Sequence, residues 1–318
     1  MPSIRAFKVF AAHILLEGSA RKTIRGVHKF VLCSPQHLLY SSPVACTPIP
    51  AKLNEVAHFW DSEPCGTRYL ASPFDFAAQA ETRYRLEPYI RDFAKFSSAR
   101  GRRVLEIGVG IGADYEQWLK AGAIASGIDI SAASLEMTRH RCELAGLKPD
   151  LRHATADSLP FANNSFDLVY SYGVMHHSPD TEACLREAWR VLKPGGEARI
   201  MLYHHASITA IMLWLRYGIW RGQSVRECAF ERLESPGTKT FTRDDVLHLT
   251  RNFENVRIQQ VFSPGDLLLH EPSSRFRAWY YRLLWKIFPR AFIRSFAKRL
   301  GLFLLITATK IAGDNSIP

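Results

Sequence analysis

The stretch GRRVLEIGVGIGAD, residues 101–114, constrains this chain more than any other. A short apolar run breaks directly into three alternating glycines, so a buried strand must end in a turn whose backbone is unobstructed. Gly108, Gly110 and Gly112 stand between that strand and a helical pattern over 112–121. Positive φ is open to them, and the free N–H groups of the helix N-terminus can meet an anionic part of a ligand. About twenty residues on, the second strand ends in Asp129 of ASGIDIS, where a carboxylate can accept from both hydroxyls of a ribose. This combination predicts an adenosine-type ligand. It does not separate a dinucleotide from another nucleoside, because Gly108-x-Gly110-x-x-Ala113 also satisfies the dinucleotide fingerprint.

The pattern around this turn alternates between short apolar runs and helical periodicity. Strands are expected at 103–107, 124–129, 150–155, 166–171 and 197–203, with helices at 112–121, 132–145 and 180–192 between them. A leading helix over 81–99 precedes the first strand. After an interruption at 204–241, a helix over 242–251 and a strand over 254–262 resume the pattern; a second interruption at 264–299 leads to a closing strand within 301–310. Strands alternating with helices imply right-handed crossovers and a doubly wound, mostly parallel α/β sheet of seven strands, with helical insertions after strands 5 and 6.

The motifs VLEIGVGIGAD, GIDIS, ADSLPF, FDLVYS and LKPGG follow in this order between residues 104 and 196. In order and spacing the chain resembles the class I S-adenosylmethionine-dependent methyltransferases, within them the small-molecule subgroup related to the ubiquinone and menaquinone C-methyltransferases. The resemblance is close over 80–200 and extends in layout to 240–262 and 301–310. It implies a Rossmann-like methyltransferase fold and S-adenosyl-L-methionine as cofactor. It further implies that Glu106 and the turn Gly108, Gly110, Gly112 hold the methionine end, Asp129 the ribose, and Asp157 with Ala156 and Ser158 the adenine. Ile130 should pack on the adenine face, and Tyr172 should line the cofactor cleft. Glu106 has an alternative as a helix-dipole partner, and Asp157 one as the cap of a short helix.

The segment YSYGVMHHSPD (170–180) stands where the transferred methyl should point. It lacks the Asn/Asp-Pro-Pro-aromatic tetrad of enzymes that methylate exocyclic or amide nitrogens, which speaks against DNA adenine and protein glutamine as substrates. His176 and His177 are adjacent, so one can face the cleft while the other packs. An imidazole there suits a phenol, enol or carbon-acid nucleophile, with His177 the preferred base and Tyr203 a second catalytic candidate at the end of strand 5. No carboxylate completes a ligand spacing with these histidines, so no metal is expected. Arg83, Tyr84 and Arg85 of the leading helix are candidates for a lid over the cofactor, or for a solvated face with one buried tyrosine.

Composition bears mainly on the flanks. The net charge of +11 is concentrated at the ends, with seven Lys/Arg against two acids over 1–58 and nine against none over 275–310. A groove for a nucleic-acid backbone should instead carry its cations beside the chemistry, so nucleic acid is not the expected partner. Six widely spaced cysteines without a C-x-x-C pair fit reduced thiols in a cytoplasmic compartment. No run reaches the length of a membrane span. Residues 1–57 read as a basic extension, poorly ordered or targeting-like, with loop over 31–56; 58–318 read as the cofactor-binding domain.

Within the second insertion, 275–299 interleaves aromatics with Arg282, Lys286, Arg290, Arg294, Lys298 and Arg299, and Pro289 should divide it into two short helices. An interfacial helix at a membrane surface, a lid over an apolar substrate and a partner contact all fit that pattern. The expected activity is methyl transfer to a small, apolar or lipid-like acceptor. A cofactor-binding module without turnover and a nicotinamide-dependent reductase remain as alternatives.

Overall fold

A computed structural model of the protein describes residues 51–62, 75–235, 237–269, 286–295 and 297–311. The chain divides into two units, Met1–Pro50 and Ala51–Pro318, and all described residues belong to the second. Its centre is one seven-stranded sheet: β1 Arg103–Ile107, β2 Ile124–Asp129, β3 Asp150–His153, β4 Phe166–Tyr172, β5 Leu192–Tyr203, β6 Phe253–Val261 and β7 Phe303–Lys310. The spatial order is β3-β2-β1-β4-β5-β7-β6, with β7 antiparallel to both neighbours and the other pairs parallel. This is the doubly wound, mostly parallel architecture expected, and it puts the chain's switch point between β1 and β4.

The central strands β1, β2 and β4 are buried on both faces, as parallel strands covered by crossover helices must be, whereas the edge strands β3 and β6 are partly exposed. Alternate residues therefore feed two cores. Leu105, Ile107 and Val169 pack with Leu185, Ala188 and Trp189 of the helix Thr181–Val191, whereas Val104, Leu168 and Tyr170 pack with Tyr115 and Trp118 on the other side. Two glycines make the central crossover possible. A Cβ on Gly127 would lie 2.6 Å from Val109 Cγ1, and one on Gly112 would lie 2.8 Å from Thr138 Cγ2.

Several boundaries depart from the periodicity. The leading helix is not continuous: it runs Phe76–Leu86, then Tyr89–Ala94, then a 3-10 turn Phe96–Ala99. Pro88 is the cause, since proline disfavours helical geometry in the residue before it, and Glu87 has φ −125° and ψ 63°. Residues 51–56, expected as loop, begin a helix Ala51–Ser62 that also runs through position 57. Strand β5 starts at Leu192 rather than 197, and the Lys-Pro-Gly-Gly residues are taken up by an irregularity opposite Phe166/Leu168. Helix Arg243–Leu249 carries the expected cap, a reciprocal capping box between Thr242 and Asp245.

The first insertion folds as Ile208–Leu213, a π turn Trp214–Gly218, a 3-10 turn Ile219–Arg221 and a helix Val225–Arg232. Of the basic second insertion, residues 270–285 lie outside the described residues; Pro289 precedes a short helix Arg290–Arg294. No described helix is long and apolar enough to cross a membrane. Cys142, Cys184 and Cys228 are buried free thiols.

Candidate active site

The sheet's carboxyl edge opens into a cleft of about 1030 Å3, part of it open to solvent. It is walled by Glu106, Gly108 and Gly110 from the first turn, Asp129 and Ile130 from the second, Ala156 from the third, and Tyr172, Val174 and His177 from the fourth. Sequence motifs scattered over seventy residues thus converge because each one ends a parallel strand at the same edge.

The turn is held by the backbone conformations the glycines were expected to adopt, with φ of 78°, 54° and 78° at Gly108, Gly110 and Gly112. Gly108 and Gly110 reach the cleft; Gly112 instead caps the helix Ala113–Lys120 against Thr138. A Cβ on Gly108 would collide with Val174 at 2.2 Å. Asp129 braces the turn, accepting from the Gly110 N–H at 2.8 Å and the Ser131 N–H at 2.9 Å. Burial pushes its carboxyl up to about 6 against the opposing pull of these two N–H groups.

Glu106 is 4% exposed, and its Oε2 has no hydrogen-bond partner. Burial, then the charge of Asp114, raise its carboxyl well above the usual range. An orphaned carboxylate oxygen at a cleft wall fits a ligand bearing a donor or a positive charge there, as the amino-acid tail of S-adenosylmethionine does. Asp114 is differently placed. Burial would raise it, but Arg83, paired with it at 2.8 and 3.2 Å, and the hydroxyls of Tyr170 and Tyr84 hold it below the ordinary value. Through this anchor Arg83 reaches the cleft and lies over the Tyr172 ring at 5.1 Å, while Tyr84 is buried in the anchor and Arg85 is exposed.

Asp157 and Ser158 follow Ala156 on a turn closed by a Thr155–Ser158 bridge, and neither is among the residues lining the cleft. Tyr203 also stands outside that lining. It contributes through contacts: its ring packs at a tilt against His176 with centroids 3.8 Å apart, and its hydroxyl donates to Glu234 Oε2 at 2.8 Å.

The adjacent histidines divide as expected. His176 is fully buried, and burial, followed by the neighbouring His177, lowers its imidazole well below the ordinary value. His177 lines the cleft. Its Nδ1 meets Ser235 Oγ at 2.9 Å and Thr238 Oγ1 at 3.1 Å, its Nε2 lies 3.4 Å from Glu234 Oε2, and Trp60 packs edge-on against it at 5.3 Å.

Sequence spacing offered no carboxylate to these histidines, yet the fold supplies one. His176, His177 and Glu234 bring potential ligand atoms within 4.8 Å of one another. Glu234, Ser235 and Thr238 in the first insertion, and Trp60 in a segment near the expected loop, are the residues the motifs missed. Their only signal is three-dimensional.

Residues 105–200 match the family model for a methyltransferase domain. The chain is 33% identical over 136 residues to Methyltransferase GfsG of Streptomyces halstedii, covering 42% of this chain and 48% of that protein. It is 36% identical over 115 residues to the Ubiquinone biosynthesis O-methyltransferase of Dinoroseobacter shibae, covering 36% of this chain and 46% of that one. The chain therefore spans about half the length of these curated relatives. In fold it is similar to the crystal structure of geranyl diphosphate C-methyltransferase from Streptomyces coelicolor, with a TM-score of 0.57 at 16% identity over 83% of this chain and 100% of that one.

Residues 105–200 thus match a methyltransferase domain, and strand order and glycine turn place that match in a doubly wound, mostly parallel sheet.

Proposed function

We propose that this protein transfers a methyl group from S-adenosylmethionine to a small, apolar acceptor bearing an acidic O–H or C–H, with a phenol or enol of lipid-like character the best fit. One observation carries the reading: the braced glycine turn, the orphaned Glu106 carboxylate and the His177 imidazole line a single cleft. The name of one relative points the same way, a methyltransferase of ubiquinone biosynthesis.

Bound S-adenosylmethionine supplies a methyl already activated by its sulfonium charge. The chain's residues then have to hold, align and deprotonate. Glu106 and the Gly108–Gly110 backbone receive the amino-acid tail, Asp129 the ribose hydroxyls, and Ile130 with Ala156 the adenine. Tyr172 and Arg83 cover the tail. Alignment of this kind contributes up to about 7–11 kcal/mol in the most favourable cases. His177 takes the acceptor's proton, and Val56, Trp60 and Val174 give that end of the cleft an apolar wall. Contact with a membrane surface through 275–299 belongs to the same reading, as a route by which a lipid-like acceptor reaches the cleft.

Calorimetric titration with S-adenosylhomocysteine, paired with radiolabelled methyl transfer to a panel of prenylated phenols and catechols, tests the proposal. Binding with label on the phenols is expected. Tight binding with no labelled product from the panel or from a lipid extract would leave a cofactor-holding module instead.

A further inference from the structure

We propose that His176, His177 and Glu234 form a binding site for a divalent cation of the zinc type. The binding itself stands apart from the methyl-transfer reading; only its effect on turnover rests on that reading.

The donor atoms are already gathered. His177 Nε2 is buried, makes no hydrogen bond and faces Glu234 Oε2 at 3.4 Å. His176 is fully buried, and neither of its ring nitrogens makes a well-formed hydrogen bond, although the Met201 backbone is close enough to interact with the ring. No gap between the three ligand atoms exceeds 4.8 Å, and this is the one such set among the described residues. Buried polar atoms are ordinarily paired, so two imidazoles with unfilled nitrogens beside a carboxylate need an explanation. A cation supplies it, because each of the three groups can offer it an electron pair.

Geometry and donor type set the class of ion. At bond lengths of about 2.0–2.2 Å the edge of a tetrahedron of ligands is about 3.3–3.5 Å, a distance the His177–Glu234 pair already spans. Two nitrogens and one oxygen suit zinc and its neighbours among the transition metals, whereas magnesium and calcium ask for oxygens. Three protein ligands leave a fourth position for water. His177 lines the cleft and the Glu234 side chain is 28% exposed, so an ion has a way in.

The partners behind the ligands are also in place. A metal-bound histidine usually donates its other ring N–H to an oxygen, which fixes the ring. His177 Nδ1 has Ser235 Oγ at 2.9 Å and Thr238 Oγ1 at 3.1 Å. The Thr238 hydroxyl gives its own proton to the Ser235 carbonyl at 2.7 Å, which leaves its oxygen able to accept. Glu234 Oε2 receives the Tyr203 hydroxyl at 2.8 Å. The first insertion thus contributes one ligand and two supports, and the cation ties it to the turn after β4.

The test uses the full-length protein stripped with EDTA, dialysed, and titrated with zinc in calorimetry and with cobalt in visible absorption, each metal added alone. One zinc per chain at micromolar affinity or tighter is expected, with a four- or five-coordinate cobalt spectrum and a thermal midpoint that rises with zinc. Glu234→Gln and His177→Asn should each weaken zinc about a hundredfold or more, and Thr238→Val, which removes only a support, about tenfold. Circular dichroism reports whether each variant is folded. Zinc binding that is absent from the parent, or unchanged in both folded ligand variants, overturns the proposal. So does a thiolate-to-cobalt band in the near ultraviolet, which puts the ion on cysteines.

A coordinated imidazole has no lone pair to spare for an acceptor's proton. On the methyl-transfer reading, saturating zinc should therefore bring turnover of a prenylated catechol down to the level of His177→Asn, and EDTA should restore it. Zinc bound at this site with turnover unchanged keeps the site and defeats the reading of His177 as the base. A parent that binds zinc here and fails to bind S-adenosylhomocysteine also keeps the site, and defeats the methyl-transfer reading instead.

Discussion

The two ends of the cleft are built on different principles. The cofactor end is made of strand termini and backbone: three glycines, one bracing aspartate and one buried glutamate, all within residues 106–130. The end proposed to take the acceptor is made of side chains that meet from distant segments, Trp60 from the first described helix, His177 from the turn after β4, and Glu234 and Thr238 from an insertion. The first construction depends on conformations that only a few residue types can adopt. The second depends on packing that many sequences could supply, so it is free to vary with the acceptor.

If the division is correct, substitutions at the two ends should fail in different measurements. The largest effect belongs to the acceptor end: His177→Asn should reduce methyl transfer to a prenylated catechol by about a hundredfold or more, the scale of a lost general base, with S-adenosylhomocysteine affinity unchanged in calorimetry. Loss of affinity in step with loss of rate would break the comparison.

Next is Gly108→Ala, which forces a Cβ onto Val174 at a φ of 78°. It should cost about 2–4 kcal/mol in urea unfolding. Adding Val174→Ala should restore the steric part and not the conformational part, so the double variant should stand between the two. Asp129→Ala should then weaken S-adenosylhomocysteine about tenfold in calorimetry, from loss of a charge-assisted pair of hydrogen bonds.

The smallest effect is one of pH. Asp129 titrates at about 6 in the fold against an ordinary 3.8. Its contribution to stability is therefore fully present below 3.8 and is lost as pH rises through 6. The parent should lose about 1 kcal/mol between pH 5 and 7.5 that Asp129→Asn does not lose. Thermal unfolding at the two pH values checks this, and a constant gap between the proteins would place Asp129 in water rather than in the turn.

The same contrast explains what could be read in advance. The strand order, the turn and Asp129 were legible because a parallel sheet places consecutive motifs on one edge whatever the rest of the chain does. The leading helix was misread as one piece because apolar spacing continues across Pro88 while the backbone cannot. The start of helix Ala51–Ser62 reads as loop in the sequence because the preceding Ser/Pro-rich residues dominate the local composition. At the acceptor end, His177 could be found since it follows a strand, whereas Glu234 could not. Its neighbours ERLESPG carry no periodicity that points to a site, and its contacts with Tyr203 and His177 exist only once the insertion folds back onto β5.

A crystal structure with S-adenosylhomocysteine bound reports on both ends at once. The account predicts the ribose hydroxyls on Asp129, the amino group on Glu106, and the sulfur turned towards His177 with room for one methyl carbon between. A ligand lying in the cleft with its sulfur directed away from His177, or no ligand in the cleft at all, would contradict it.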